Sequence, residues 1–74
     1  MKKEAIEAIL ADLKEQSKKQ QDLSCLVTDT NGSSSYLNLY EGEWDTDTYD
    51  GVLVIKNPGA THFITISKIV SISC

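Results

Sequence analysis

The sequence predicts an α+β domain, an N-terminal helix followed by a five-stranded antiparallel sheet. Two observations carry this reading. Apolar residues near the N-terminus recur at helical spacing, whereas from Leu23 onward they alternate with polar ones at a period of two. The chain has 74 residues, room for one domain. Residues 1–74 are therefore read as a single unit, with a helical segment over 1–21 and a β part over 22–74.

The helix is expected from about Lys2 to Gln20. Ile6, Ile9, Leu10 and Leu13 fall on one stripe with Ala5 beside it, and Ala, Glu, Lys and Gln around them favour helix. Glu15 and Lys19 make a favourable pair four residues apart. From Lys14 to Asp22 nothing is apolar, so this half reads as a solvated extension or a fraying end.

Leu23, Cys25 and Val27 alternate with polar neighbours and mark the first strand. Asn31-Gly32 then signals a hairpin, since both residues tolerate positive φ. The second strand is expected from Tyr36 to Trp44, with Leu37 and Leu39 on one face and Tyr36, Asn38, Tyr40, Gly42 and Trp44 on the other. A loop follows over residues 45–51. Val52 to Ile55 is a continuous apolar run, as in a strand buried on both faces. Asn57-Pro58-Gly59 reads as a turn with Pro second and Gly third. His62 to Ser67 forms the fourth strand, with Ile64 and Ile66 inward. Ser67-Lys68 breaks the alternation, and Ile69 to Ser73 forms the fifth, with Val70 and Ile72 inward.

Charge narrows the function classes. The net charge is −4. Residues 1–22 hold five lysines and five acids, so the excess lies on residues 23–74, where Lys56 and Lys68 face Asp29, Glu41, Glu43, Asp45, Asp47 and Asp50. Arginine, the side chain best suited to bidentate phosphate and guanine contacts, is absent. No apolar run approaches the roughly 18 residues of a membrane span. Glu4, Glu7 and Asp12 interrupt the stretch that an export signal would need. A cytoplasmic chain with reduced cysteines is expected.

The segment from Leu39 to Asn57 resembles the first Sm motif as it occurs in Hfq-type proteins. Gly42 stands between Tyr40 and Trp44, an acidic stretch follows, and then comes Val52-Leu53-Val54-Ile55-Lys56-Asn57. Phe63 to Ile72 resembles the last two Sm strands. The resemblance implies a small Sm-like (SH3-like) barrel, with Gly42 at the bend of strand two, and a ring-forming habit. The sequence departs from the family in three ways. The first connection is lengthened by Asn31-Gly32 and its serines, and the acidic loop is longer. The family's RNA-binding lysine–histidine pair has no counterpart, because the matching stretch reads Ile64-Thr65-Ile66.

The candidate interaction surface combines three groups. Tyr36, Tyr40 and Trp44 are expected to share a face and to fill a subunit interface or pack under the helix. Asp45, Asp47 and Asp50, with Glu41 and Glu43, form an acidic loop suited to a basic protein partner. An EF-hand starting at Asp45 would need glycine at 50 and glutamate at 56, and these are Asp50 and Lys56. Lys18 and Lys19, with Lys14, are the one basic cluster, blunted by Asp12, Glu15 and Asp22. His62 reads as structural and Ser33-Ser34-Ser35 as turn. Cys25 is expected inward and Cys74 exposed, and a bridge between them is geometrically conceivable if the first and last strands are neighbours. No catalytic set, metal site or cofactor site is recognisable. The expected function is that of a non-catalytic, homo-oligomeric Sm-like binding module, with RNA association weak or absent. The alternative is an acidic module that binds or inhibits a protein with a basic surface.

Overall fold

A computed structural model describes residues 1–20 and 22–74; Gln21, the last residue of the expected helical segment, lies outside the described residues. The architecture is α+β, as expected. One helix, α1 (Lys3–Ser17), precedes six strands: β1 (Ser24–Asp29), β2 (Ser34–Asn38), β3 (Glu43–Asp45), β4 (Val52–Asn57), β5 (Ala60–Thr65) and β6 (Ile69–Ser73). A short 3₁₀ turn, Ile66–Lys68, separates β5 from β6 where the alternation breaks. The strands form two three-stranded antiparallel sheets, ordered β2-β1-β6 and β3-β4-β5. This corrects the expected five strands and the closed barrel: what reads in the sequence as one long second strand is two short ones in different sheets.

The break lies at Leu39–Gly42. Asn38 Oδ1 accepts the Tyr40 and Glu41 amides at 3.0 and 2.9 Å, and the Gly42 amide returns to the Asn38 carbonyl at 2.7 Å. Asn57, at the end of β4, completes the joint. Its Oδ1 accepts the Asn38 amide at 2.9 Å and its Nδ2 donates to the Tyr36 carbonyl at 2.7 Å. One side chain thus serves as the ladder partner that β2 lacks on that edge. Gly42 is buried in this joint, and a Cβ there would meet the Asn38 carbonyl at 2.5 Å and Asn57 Oδ1 at 2.8 Å. Glycine is required at this position by close approach.

Both hairpins follow their turn residues. Asn57 pairs with Ala60, so Pro58-Gly59 is the whole loop, and Gly59 takes φ 84°. In the first hairpin Asp29 N donates to Ser33 O and Gly32 N to Asp29 O, with Gly32 at φ 82°. Asn31 does not use positive φ. The loop is a three-residue turn closed by an αL glycine rather than a two-residue Asn-Gly turn. Ser34 and Ser35 belong to β2, opposite Thr28 and Val27.

The two inner faces and the helix enclose one core. Ile6 and Leu10 of the helix meet Cys25, Val27, Leu37, Leu39, Leu53, Ile55, Ile64, Ile66 and Ile69, all buried. The helix is held at both ends. The Met1 amino group donates to the Ile69 carbonyl at 2.7 Å, and Lys14 Nζ donates to the Leu39 carbonyl at 2.6 Å. The regular helix stops at Ser17, short of the expected Gln20. Ser17 is its last buried residue, and its hydroxyl donates back to the Lys14 carbonyl at 2.6 Å. From Lys18 to Asp22 the sequence offers no apolar residue to dock.

Val70 was expected inward and is exposed. Thr28 pairs with Ser71 and Asp29 with Ile69, so Val70 is the extra residue of a bulge in β6. The bulge resets the alternation, and Ile69 takes the core position while Ile72 packs half-buried at its edge. Among the described residues no helix is long and apolar enough to cross a membrane.

Candidate interaction surface

Tyr36, Tyr40 and Trp44 do not share a face. The turn at Leu39–Gly42 interrupts the two-residue period, so parity is not carried from β2 to β3. Trp44 lies opposite Ile55, a fully buried core residue, and packs half-buried against the core. Tyr40 sits exposed in the turn. Tyr36 points outward on the first sheet, opposite Leu26, and both are partly exposed, at 47% and 44%.

The aromatic pair that does form on a surface was not singled out from the sequence. Tyr49, in the loop after β3, meets Phe63 of β5 edge-to-face with ring centroids 6.1 Å apart. Register explains why. Val54 is opposite Asp45 on one side and Phe63 on the other, so all three point away from the core, and Tyr49 closes over them. Val54 is buried to 3% exposure, yet it lies outside the core cluster, whereas Tyr49 and Phe63 remain 53% and 62% exposed. The alternation that puts Ile64 inward puts Phe63 outward, and that signal was legible. The fold-back of Tyr49 was not.

The acidic loop is fastened to the helix. Thr46 is buried and its hydroxyl donates to Glu7 Oε1 at 2.8 Å, while Lys3 Nζ pairs with Asp47 Oδ1 at 2.9 Å. Asp45 accepts the Asp47 and Thr48 amides, both at 3.0 Å. The Thr48 hydroxyl and these amides hold its carboxyl below the ordinary value. The expected basic partner of Asp47 is thus in part the chain's own Lys3. Asp50 is exposed at the far end of the loop. Two of the three aspartates are committed to intramolecular partners, which leaves few free oxygens for a cation. Among the described residues no three His, Cys, Asp or Glu side chains converge to hold one.

The basic cluster is also largely committed. Lys14 is spent on the Leu39 and Tyr40 carbonyls, and Lys18 pairs with Glu15 at 3.0 Å. Lys19 is exposed just past the helix. The depression between Tyr49 and Phe63, floored by Val54 and edged by Asp45 and Lys56, holds about 100 Å³. That is well below the roughly 300–1,000 Å³ of small-molecule sites, so this face suits contact with a larger partner. A wider open groove lies beside the helix start, between Met1, Lys3, Asp50, Val52 and Ile66, and brings no histidine or cysteine together. No protein-family model matches the chain, and no curated protein or solved structure is significantly similar to it.

Proposed function

We propose that this chain is a non-catalytic, homo-oligomeric binding module of the Sm-like kind, acting through the surfaces its sheets present. The observation that carries this reading is the pair of free strand edges. With β2 and β3 taken as the two halves of one broken strand, the strands run β6-β1-β2 and then β3-β4-β5. Each end of that order, β6 and β5, has one unpaired side, and two different edges of one chain can pair head-to-tail and close into a ring. The element order, with a 3₁₀ turn between the last two strands, supports the same reading. So do the exposed Tyr36, Leu26 and Val70 on the sheet that contains β6.

An acidic protein-binding module is the second reading, and the Tyr49–Phe63 pair beside Asp45 favours it. Apolar rings next to carboxylates suit a partner that offers lysine or arginine stems with its apolar side chains. RNA is the less favoured ligand. Phosphate contacts need uncommitted cations, and Lys14 and Lys18 already have partners.

Gel filtration coupled to light scattering is the test. The expected mass is a multiple of 8.2 kDa, falling toward the monomer when Val70 on the edge strand becomes lysine. A wild-type monomer at micromolar concentration overturns the ring. Filter binding with uridine-rich and adenosine-rich oligonucleotides should give, at best, dissociation constants of about 10⁻⁴–10⁻⁶ M that weaken with salt. A salt-insensitive nanomolar complex would make the module an RNA reader.

A further inference from the structure

We propose that Cys25 and Cys74 are a built cross-strand disulfide site that staples β6 to β1 when the chain meets a low-molecular-weight disulfide. The register carries the inference. Leu26 is opposite Ser73 and Val27 opposite Ile72 in the antiparallel β1–β6 pair. One further step along both chains sets Cys25 opposite Cys74. Directly opposed residues share a face of the sheet, and the period of two carries Cys74 to the side of Ile72, which packs on the core that holds Cys25. Opposed Cα atoms in an antiparallel pair lie about 4.5 or 5.5 Å apart, and both spacings fall within the 4.4–6.8 Å or so that a disulfide spans.

The two thiols differ in a way that sets the order of events. Both are unbridged in this structure, Cys25 buried and Cys74 exposed. Burial, with Cys74 nearby, pushes the Cys25 thiol up to about 11. Cys74 is therefore the group that reacts first. Its thiolate attacks one sulfur of oxidised glutathione, forming a mixed disulfide and releasing one glutathione thiolate. The Cys25 thiol then gives its proton to solvent, attacks the Cys74 sulfur and expels the second glutathione thiolate. Two protein thiols are oxidised to one disulfide, and one small disulfide is reduced to two thiols. The raised Cys25 thiol makes the second step slow at neutral pH and faster as pH rises.

The staple would close a loop running from residue 25 to residue 74, nearly the whole β part, and its effect falls on the unfolded chain. It does not depend on self-association, since both cysteines belong to one copy.

The test is oxidation of the full chain with oxidised glutathione, followed by intact mass under denaturing, non-reducing conditions. The expected product is a monomer lighter by two hydrogens, formed faster at alkaline pH, with a thermal midpoint raised by roughly 10 °C or more and restored by reductant. Cys74→Ser, which leaves the core intact, should lose both the mass change and the stabilisation. A glutathione adduct on Cys74 that persists at alkaline pH would overturn the proposal. So would a product consisting of disulfide-linked dimers.

Discussion

On the sheet β2-β1-β6 the outward positions are mostly small hydroxyls. Thr28 stands between Ser34 and Ser71, and the apolar exceptions are Leu26 opposite Tyr36, with Ser73 on its other side, and the bulged Val70. On β3-β4-β5 the outward rows are Glu43–Lys56–Thr61 and Asp45–Val54–Phe63, and a loop folds back to lay Tyr49 on the second row. The inner faces are alike, since both give aliphatic side chains to one core. The outer faces differ in kind: one is a bare sheet surface, and the other carries a second small apolar cluster under its own cover. The apolar run Val52 to Ile55 follows from that difference. Leu53 and Ile55 serve the core, while Val54 is buried from the opposite side by Tyr49 and Phe63. A strand can thus be buried on both faces by a loop rather than by a second layer of helices.

The joint between the sheets is where this arrangement breaks most easily. Gly42→Ala puts a methyl group against the Asn38 carbonyl and Asn57 Oδ1, and should cost about 2–3 kcal/mol. That is a large share of the roughly 5–15 kcal/mol that holds a small domain folded. Asn57→Ala removes both hydrogen bonds of the clasp and should cost about 2 kcal/mol. Because both changes open the same joint, the double variant should lose clearly less than the sum of the two in urea unfolding. Additive losses would mean that Gly42 and Asn57 act separately and that the sheets are held together by the core alone.

The outer faces themselves are compared by removing one tyrosine from each. Tyr49→Ala uncovers Val54 and ends the edge-to-face contact with Phe63, so about 1–2 kcal/mol should be lost. Tyr36→Ala removes only a cross-strand neighbour of Leu26 and should cost no more than about 1 kcal/mol. Equal losses would mean that the loop's cover over β4 contributes nothing beyond ordinary cross-strand packing.

These contrasts also mark how far the sequence can be read. The helical stripe, the Pro58-Gly59 turn and the inward Leu37, Leu39, Leu53, Ile55 and Ile64 follow from local periodicity and turn chemistry. Interruptions that depend on distant partners do not. Strand two breaks at a turn that Asn38 closes, and Asn57, 19 residues later, takes up the β2 edge just before it. Alternation alone continued the strand through Gly42 and put Trp44 on the wrong face. Val70 was misplaced for a related reason, since a bulge is a property of the pair β1–β6 and not of either strand. The candidate surface fared unevenly. Asp47 and Asp50 are in one loop as expected, but Asp45 ends β3, Lys3 takes up Asp47, and Lys18 is paired at the helix end. Tyr49 and Phe63 are 14 positions apart in the sequence, and nothing local announces that the loop brings them together.

The smallest expected effect concerns what fastens that loop. Thr46 to Glu7 is a partly buried hydrogen bond, and Thr46→Val should cost about 1 kcal/mol by leaving the Glu7 carboxylate without its donor. The Lys3–Asp47 pair is exposed, and Asp47→Asn should move the thermal midpoint too little to measure at physiological salt. Any difference seen at low salt should vanish near 1 M, where the screening length shrinks to about 3 Å. Asp45 gives the loop its pH dependence. Its carboxyl is held low by the Thr48 hydroxyl and by the Asp47 and Thr48 amides, so the folded state favours the charged form. That stabilisation is present above the ordinary carboxylate value of about 3.9 and is lost as pH falls through the lower native value. Asp45→Asn keeps an acceptor for the amides but has nothing to titrate, so its melting temperature should fall less steeply on acidification than that of the wild type. If Asp47→Asn instead lowered the midpoint at low salt as far as Tyr49→Ala does, and high salt abolished the difference, charge rather than the aromatic cover would hold the loop over β4. The two outer faces would then differ in their electrostatics and not in their packing.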